Sequence, residues 1–138
     1  MRFLVIVKAT KDSEAGNYSR SAMEEMGKFN EGLVKDGIVL AMDGLHPSKK
    51  GTRVRFDGRR PIVTDGPFAE TKELIAGFWI VQGKSRAEVV ERFLNAPLEG
   101  GELEIREMFE LEDMDEEVAA GIRERRERTG FQPAFQER

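Results

Sequence analysis

SRSAMEEMGKFNEGLVKDGIVLAM, residues Ser19 to Met42, decides the fold. Ala22, Met26, Phe29 and Leu33 step by four, three and four, which draws one apolar stripe along a helix over 19–36. Ser21 followed by Glu24 fits a capping box at its start, and Gly37 stands where a helix-ending glycine belongs. Ile38 to Met42 then reads as a strand that begins directly after the glycine. Ahead of this unit lies Phe3 to Val7, a short apolar run rich in β-branched residues, as expected of a strand buried on both faces. The polar stretch Lys11 to Tyr18, with Gly16 and Asn17, reads as the loop between them.

Downstream, Thr52 to Phe56 and Arg60 to Thr64 flank Asp57-Gly58-Arg59, a strong hairpin signal. Val54 and Phe56 share one face of that hairpin, and Arg53 and Arg55 share the other. Asp65-Gly66-Pro67-Phe68 follows as a second turn. Leu74 to Gln82 is an apolar, aromatic strand. Ser85 and Glu88 fit a capping box on a helix running through Asn95, whose stripe is Val90, Phe93 and Leu94 and which Pro97 stops. Leu103 to Phe109 alternates and closes the series as a strand. Without the inserted hairpin the order is βαββαβ, the ferredoxin-like plan of an α+β protein. Both helices fall on one face of the sheet, so the other face needs a cover, and a second subunit packed sheet to sheet supplies it most simply. A homodimer is therefore expected.

Composition narrows the function. The chain has 138 residues, which fits one domain. It has no cysteine, which excludes disulfides, thiolate metal sites and a cysteine nucleophile, and its single histidine excludes a His cluster within one subunit. The net charge of −4 argues against a nucleic-acid partner, whose phosphates call for excess positive charge. No apolar run is long enough for a membrane span, and Met1 to Lys8 is too short for a signal peptide, so a cytoplasmic location is expected. No metal or cofactor is expected: there is no Gly-rich phosphate loop, and Asp113 to Glu117 lacks the ligand spacing of a calcium loop.

Beyond Glu110 the composition shifts. Glu112 to Arg128 is almost wholly charged, and Met114, Val118 and Ile122 trace a thin apolar seam at four-residue spacing. This divides the chain into a core of residues 1–112 and a charged C-terminal helix and tail of residues 113–138. The helix reads either as a solvated terminus or as an arm along a partner. Phe131 and Phe135, in the proline-containing tail, favour docking.

Three stretches carry the chemistry. They are Gly44-Leu45-His46-Pro47-Ser48, the block Val63-Thr64-Asp65-Gly66-Pro67-Phe68-Ala69-Glu70-Thr71-Lys72-Glu73, and Ile75-Ala76-Gly77-Phe78-Trp79. Together they resemble the DGPF-motif branch of the YCII-related proteins. The resemblance spans residues 1 to about 112. It implies a dimeric α+β barrel with a ferredoxin-like protomer, which agrees with the element order read from the residues. Some YCII-related proteins are small-molecule enzymes that act on ring-derived acids through a His–Asp pair. Members of this branch often accompany extracytoplasmic-function-type sigma factors in bacterial genomes, which implies a regulatory partner as the alternative role. The catalytic His of the enzymatic relatives lies on the first helix, where this sequence offers only Met23, Met26 and Asn30 as inward residues.

His46 has the side chain suited to acid–base work near neutral pH, and Asp43 or Asp65 would orient it. His46 and Asp65 are thus the candidate catalytic pair. Arg53 and Arg55 share a strand face and suit a carboxylate ligand. Glu70, Phe68 and Trp79 complete the candidate ligand-binding set. Each residue also has a plain structural reading. Asp65 would close an Asx-turn onto backbone N–H groups two residues on. His46 would be polar surface, the arginines would solubilise an edge hairpin, and Trp79 would belong to the core. Two functions from different classes follow: a protein that binds or transforms a small organic acid near the Asp65 turn, and a non-catalytic dimeric regulator.

Overall fold

The structure is a computed structural model that describes residues 1–133. Six strands and four helices follow in the order β1 (Arg2–Lys8), α1 (Lys11–Ala15), α2 (Arg20–Lys35), β2 (Val39–Gly44), β3 (Thr52–Asp57), β4 (Arg60–Asp65), β5 (Ile75–Gln82), α3 (Arg86–Phe93), β6 (Leu103–Glu107) and α4 (Glu116–Thr129). Short 3₁₀ turns stand at Ser48–Lys50, Thr71–Glu73 and Leu111–Asp113. Four strands make one antiparallel sheet in the order β2-β5-β1-β6, and β3 and β4 pair only with each other. With the hairpin set aside, the long helices α2 and α3 alternate with the sheet strands as βαββαβ, the ferredoxin-like arrangement.

β1 lies between β5 and β6, and its alternate residues serve different layers. Phe3 and Val5 face α2 and α3 and are fully buried together with Val81 and Leu33. Each such side chain contributes about 1.5–3 kcal/mol relative to leaving it in water. Val89 and Phe93 of α3 close this layer, and Phe29, Trp79 and Phe93 meet edge to face with centroids 5.1 to 6.2 Å apart. The opposite face carries Leu4, Ile6, Phe78 and Ile80, matched across the register as Leu4 with Ile80 and Ile6 with Phe78. Ile6 and Ile80 are each only 7% exposed. A bare sheet face leaves far more of an isoleucine in water, so the chain itself covers the middle of this face. Leu4 and Phe78 remain half-buried.

The local signals explain most boundaries and correct several. The stretch expected as a loop at Lys11 to Tyr18 holds α1. Thr10 Oγ1 accepts the Ser13 N–H at 3.1 Å, Ser13 Oγ accepts the Thr10 N–H at 2.8 Å, and Gly16 ends the turn at φ +74°. This reciprocal cap uses serine where the usual pattern has Glu or Gln. α2 starts earlier than its expected box: Ser19 is the cap, its Oγ accepting the Ala22 N–H at 3.1 Å, and Ser21 already lies inside the first turn. In α3, Ser85 caps Glu88 N as expected, but the Glu88 carboxylate accepts from Lys84 N rather than Ser85 N. Met23 is exposed rather than inward.

α4 turns differently from its expected seam. Val118 is 54% exposed, whereas its neighbour Ala119 is fully buried by the chain itself, with Ile122 half-buried one turn on. The small residue permits close approach where valine would not. Phe131 is exposed, and Phe135 lies outside the described residues. No helix among the described residues is long and apolar enough to cross a membrane.

Candidate functional site

The turn Asp65–Phe68 is the hub of the region between β2 and β5. Asp65 stands opposite Thr52 at the base of the hairpin, and its carboxylate accepts the Thr52 hydroxyl at 2.9 Å. The expected Asx-turn is not formed: the residue two positions on is Pro67, which has no N–H to donate, and the carboxylate turns to the cross-strand hydroxyl. The Gly66 N–H donates to the Gly51 carbonyl at 2.9 Å. Gly66 lies so close to the Ser48 carbonyl that a Cβ there would collide with backbone. The Gly66–Pro67 peptide is cis, and the Phe68 N–H then donates to Ser48 Oγ at 3.1 Å.

Ser48 is held in turn from the other side. Its N–H donates to Glu14 Oε2 at 2.9 Å, and its hydroxyl donates to Glu14 Oε1. One carboxylate on α1 therefore fixes one serine, which fixes the turn. The sequence motif is a docking device: its glycine permits the approach and its phenylalanine N–H makes the bond. The sequence reading gives Glu14 no role, and it carries Ser48 only as the last residue of the Gly44–Ser48 stretch. The visible signal for Glu14 was the Thr10/Ser13 cap, which puts it on a helix. Its partner 34 positions away leaves no local trace.

Above this hub, the Arg53 guanidinium sits 3.9 Å from the centroid of the Phe68 ring. Such stacking leaves the N–H edges of the guanidinium directed outward for a second partner. Arg55 projects from the same hairpin face, opposite Ile62. Glu70 precedes the Thr71–Glu73 turn with an exposed, uncommitted carboxylate. His46 lies in the exposed link between β2 and the Ser48–Lys50 turn and forms no hydrogen bond or ion pair among the described residues. No hydrogen bond joins it to Asp65 or Asp43. Arg53, Phe68 and Asp65 are thus brought to one hub, whereas His46 is left without an orienting carboxylate.

Trp79 lies in the core, the structural one of its two readings. It is 4% exposed, its ring packs on Phe29 and Phe93, and its Nε1–H donates to Asn30 Oδ1 at 2.9 Å. The inward polar residue of α2 is therefore committed to holding this indole. Two surface clefts lie elsewhere. One, of about 290 Å³, is lined by Ile38, Gln82, Glu88 and Arg92 among others. The other, of about 310 Å³, lies between α3 and β6 and is lined by Val90, Phe93, Leu94, Leu103 and Ile105. Neither includes His46, Asp65 or Arg53. No three His, Asp or Glu side chains among the described residues are placed to hold a metal ion.

The sheet order and the hub together invite comparison with known proteins. The model of the YCII-related domain matches residues 1–112. The chain belongs to this family. The match to the YCII-related domain ends where the charged stretch before α4 begins. Among curated proteins, an uncharacterized protein of Rhizobium meliloti (strain 1021) is 30% identical over 69 residues, which is 50% of this chain. The aligned part spans 56% of that relative's length. Among solved structures, 5-chloro-2-hydroxyhydroquinone dehydrochlorinase from Burkholderia phenoliruptrix, in complex with 2,5-dihydroxybenzoquinone, is 14% identical with a TM-score of 0.48. The alignment covers 83% of this chain and all of that one.

Proposed function

We propose that this YCII-related protein binds a small organic acid at the ledge built by the Asp65–Phe68 turn and the adjoining hairpin face. The observation that carries the reading is Arg53, stacked 3.9 Å over Phe68 on a turn whose own backbone groups are already hydrogen-bonded. A guanidinium held in this way loses little conformational freedom when a carboxylate takes its free edge. Arg55 supplies a second positive group, Phe68 an aromatic floor, and Glu70 a polar limit. His46 and Asp65 are the acid–base candidates. Binding is favoured over turnover because no carboxylate orients His46 and the inward polar group on α2 is spent on Trp79. The protomer acts as a homodimer, with a second copy covering what is left of the Leu4 and Phe78 face.

Thermal-shift and calorimetric titration against small aromatic and aliphatic carboxylates tests this reading. Saturable binding is expected, weakened about tenfold in Arg53→Ala, the loss typical of one charge-assisted contact. A panel with no saturable response, or an Arg53→Ala protein that binds unchanged, overturns it. The competing reading is a non-catalytic regulator, one linked to an extracytoplasmic-function-type sigma factor. It draws on the exposed charged face of α4, and it predicts partner capture that is lost on removal of residues 113–138.

A further inference from the structure

The hairpin β3–β4 poses a physical problem that the ligand reading does not solve. A two-stranded hairpin alone in water is marginally stable at best. This one pairs with no other strand. Register places Val54 opposite Val63 and Phe56 opposite Pro61 on one face. That face is left in water: Val54 is 50%, Val63 65% and Phe56 79% exposed. The opposite face holds Arg53 and Arg55, which belong to the proposed ledge. Gly58 at φ +59° and the non-glycine Arg59 make a tight tip, where Arg59 and Arg60 form no ion pair among the described residues.

Charge indicates what covers this face. Residues 52–65 carry four arginines against two aspartates, a net +2 in a chain of −4, so the remainder carries −6. The negative charge is concentrated in residues 99–117, where ten acidic residues face a single Arg106, a net −9. Glu102, Glu107 and Glu112 form no ion pair or side-chain hydrogen bond among the described residues, and Phe109 between them is 76% exposed. This acidic stretch contains β6, one edge strand of the sheet. The hairpin springs from between β2 and β5, at the other edge. One copy carries a basic, apolar-faced arm and its acidic complement at opposite edges of its sheet. Two copies related by a two-fold axis satisfy both at once, as a self-complementary interface requires.

We propose that the β3–β4 hairpin is an exchanged arm, laying its Val54, Phe56 and Val63 face and its Arg59–Arg60 tip on the acidic 99–117 stretch of a second copy of this chain. The inference rests on the homodimer reading above and adds the surfaces that meet.

The test uses the full chain. A benzophenone side chain placed at Phe56 is irradiated, and cross-linked peptides are mapped. A covalent dimer joined to residues 99–117 is expected. Sedimentation then compares the native chain with a double variant, Arg59→Glu and Arg60→Glu, and with its complement, Glu102→Arg and Glu107→Arg. Each variant alone is expected to self-associate about tenfold more weakly, and the mixture of the two to regain affinity, since charge reversal at an interface repels and the paired reversal restores attraction. Circular dichroism on each variant confirms that it is folded. A native chain that is monomeric overturns both the homodimer and the arm. A native dimer whose affinity neither reversal changes, or whose cross-link falls elsewhere, overturns the arm and leaves the homodimer standing.

Discussion

β1 and β3 are both short strands, one a continuous apolar run and one with apolar residues at alternate positions, yet β1 is central and largely buried and β3 lies in water along its whole length. Phe3 and Val5 of β1 are fully buried, and Val54 and Phe56 of β3 are half or more exposed. The difference lies in neighbours. β1 has a strand on each side and two helices over one face, whereas β3 has only β4. An apolar pattern specifies which face of a strand seeks cover, and the rest of the fold decides whether cover exists. In the core the chain meets that need internally. In the hairpin it leaves the need open, beside the residues suited to holding an anion.

Substitutions test this contrast by how unequally they act on stability. The largest loss is expected for Leu33→Ala, where a fully buried side chain leaves a cavity under the sheet: about 2–5 kcal/mol by urea denaturation. Gly66→Ala comes next. The added methyl meets the Ser48 carbonyl and unseats the turn that joins the two regions, at a cost of about 1–3 kcal/mol. A loss below about half a kcal/mol in that variant would mean that the turn is free of the core.

Asn30→Ala removes the acceptor of the Trp79 indole N–H and leaves a buried donor unpaired, an expected loss of about 1–2 kcal/mol with a shift in tryptophan fluorescence. Ser48→Ala removes the hydroxyl that donates to Glu14 and accepts the Phe68 N–H, while the Ser48 N–H keeps its bond to Glu14; it is expected to cost about 1 kcal/mol, together with faster amide exchange across 65–68. Phe56→Ser is expected to change stability by no more than about 0.5 kcal/mol in dilute solution, where self-association is absent. A large loss there would mean that the hairpin face is covered within one chain, and the contrast with β1 would vanish.

Much of the framework was legible in local signals. The Asp57–Arg60 tip sits where the Asp-Gly dipeptide indicates, and Gly37 ends α2 at φ +69°. What escaped was reciprocal or remote. The Thr10/Ser13 cap was hidden because serine replaced the familiar glutamate. For Asp65 the local signal points two residues on, but its partner Thr52 lies across the hairpin. At α4 the four-residue spacing points to Val118, the larger apolar residue, whereas close packing selects Ala119.

By itself the sequence determined the order of the strands and of the longer helices, because periodicity, caps and turn residues act over a few positions. It also determined the charge division between a basic hairpin and an acidic stretch. Only the tertiary structure decided that the Gly66–Phe68 turn rests on Ser48, that Ser48 rests on Glu14, and that Arg53 stacks on Phe68. Those contacts join residues 15 to 34 positions apart. Their energy comes from complementary groups meeting in space, and no local spacing rule encodes which of many serines or carboxylates will be there.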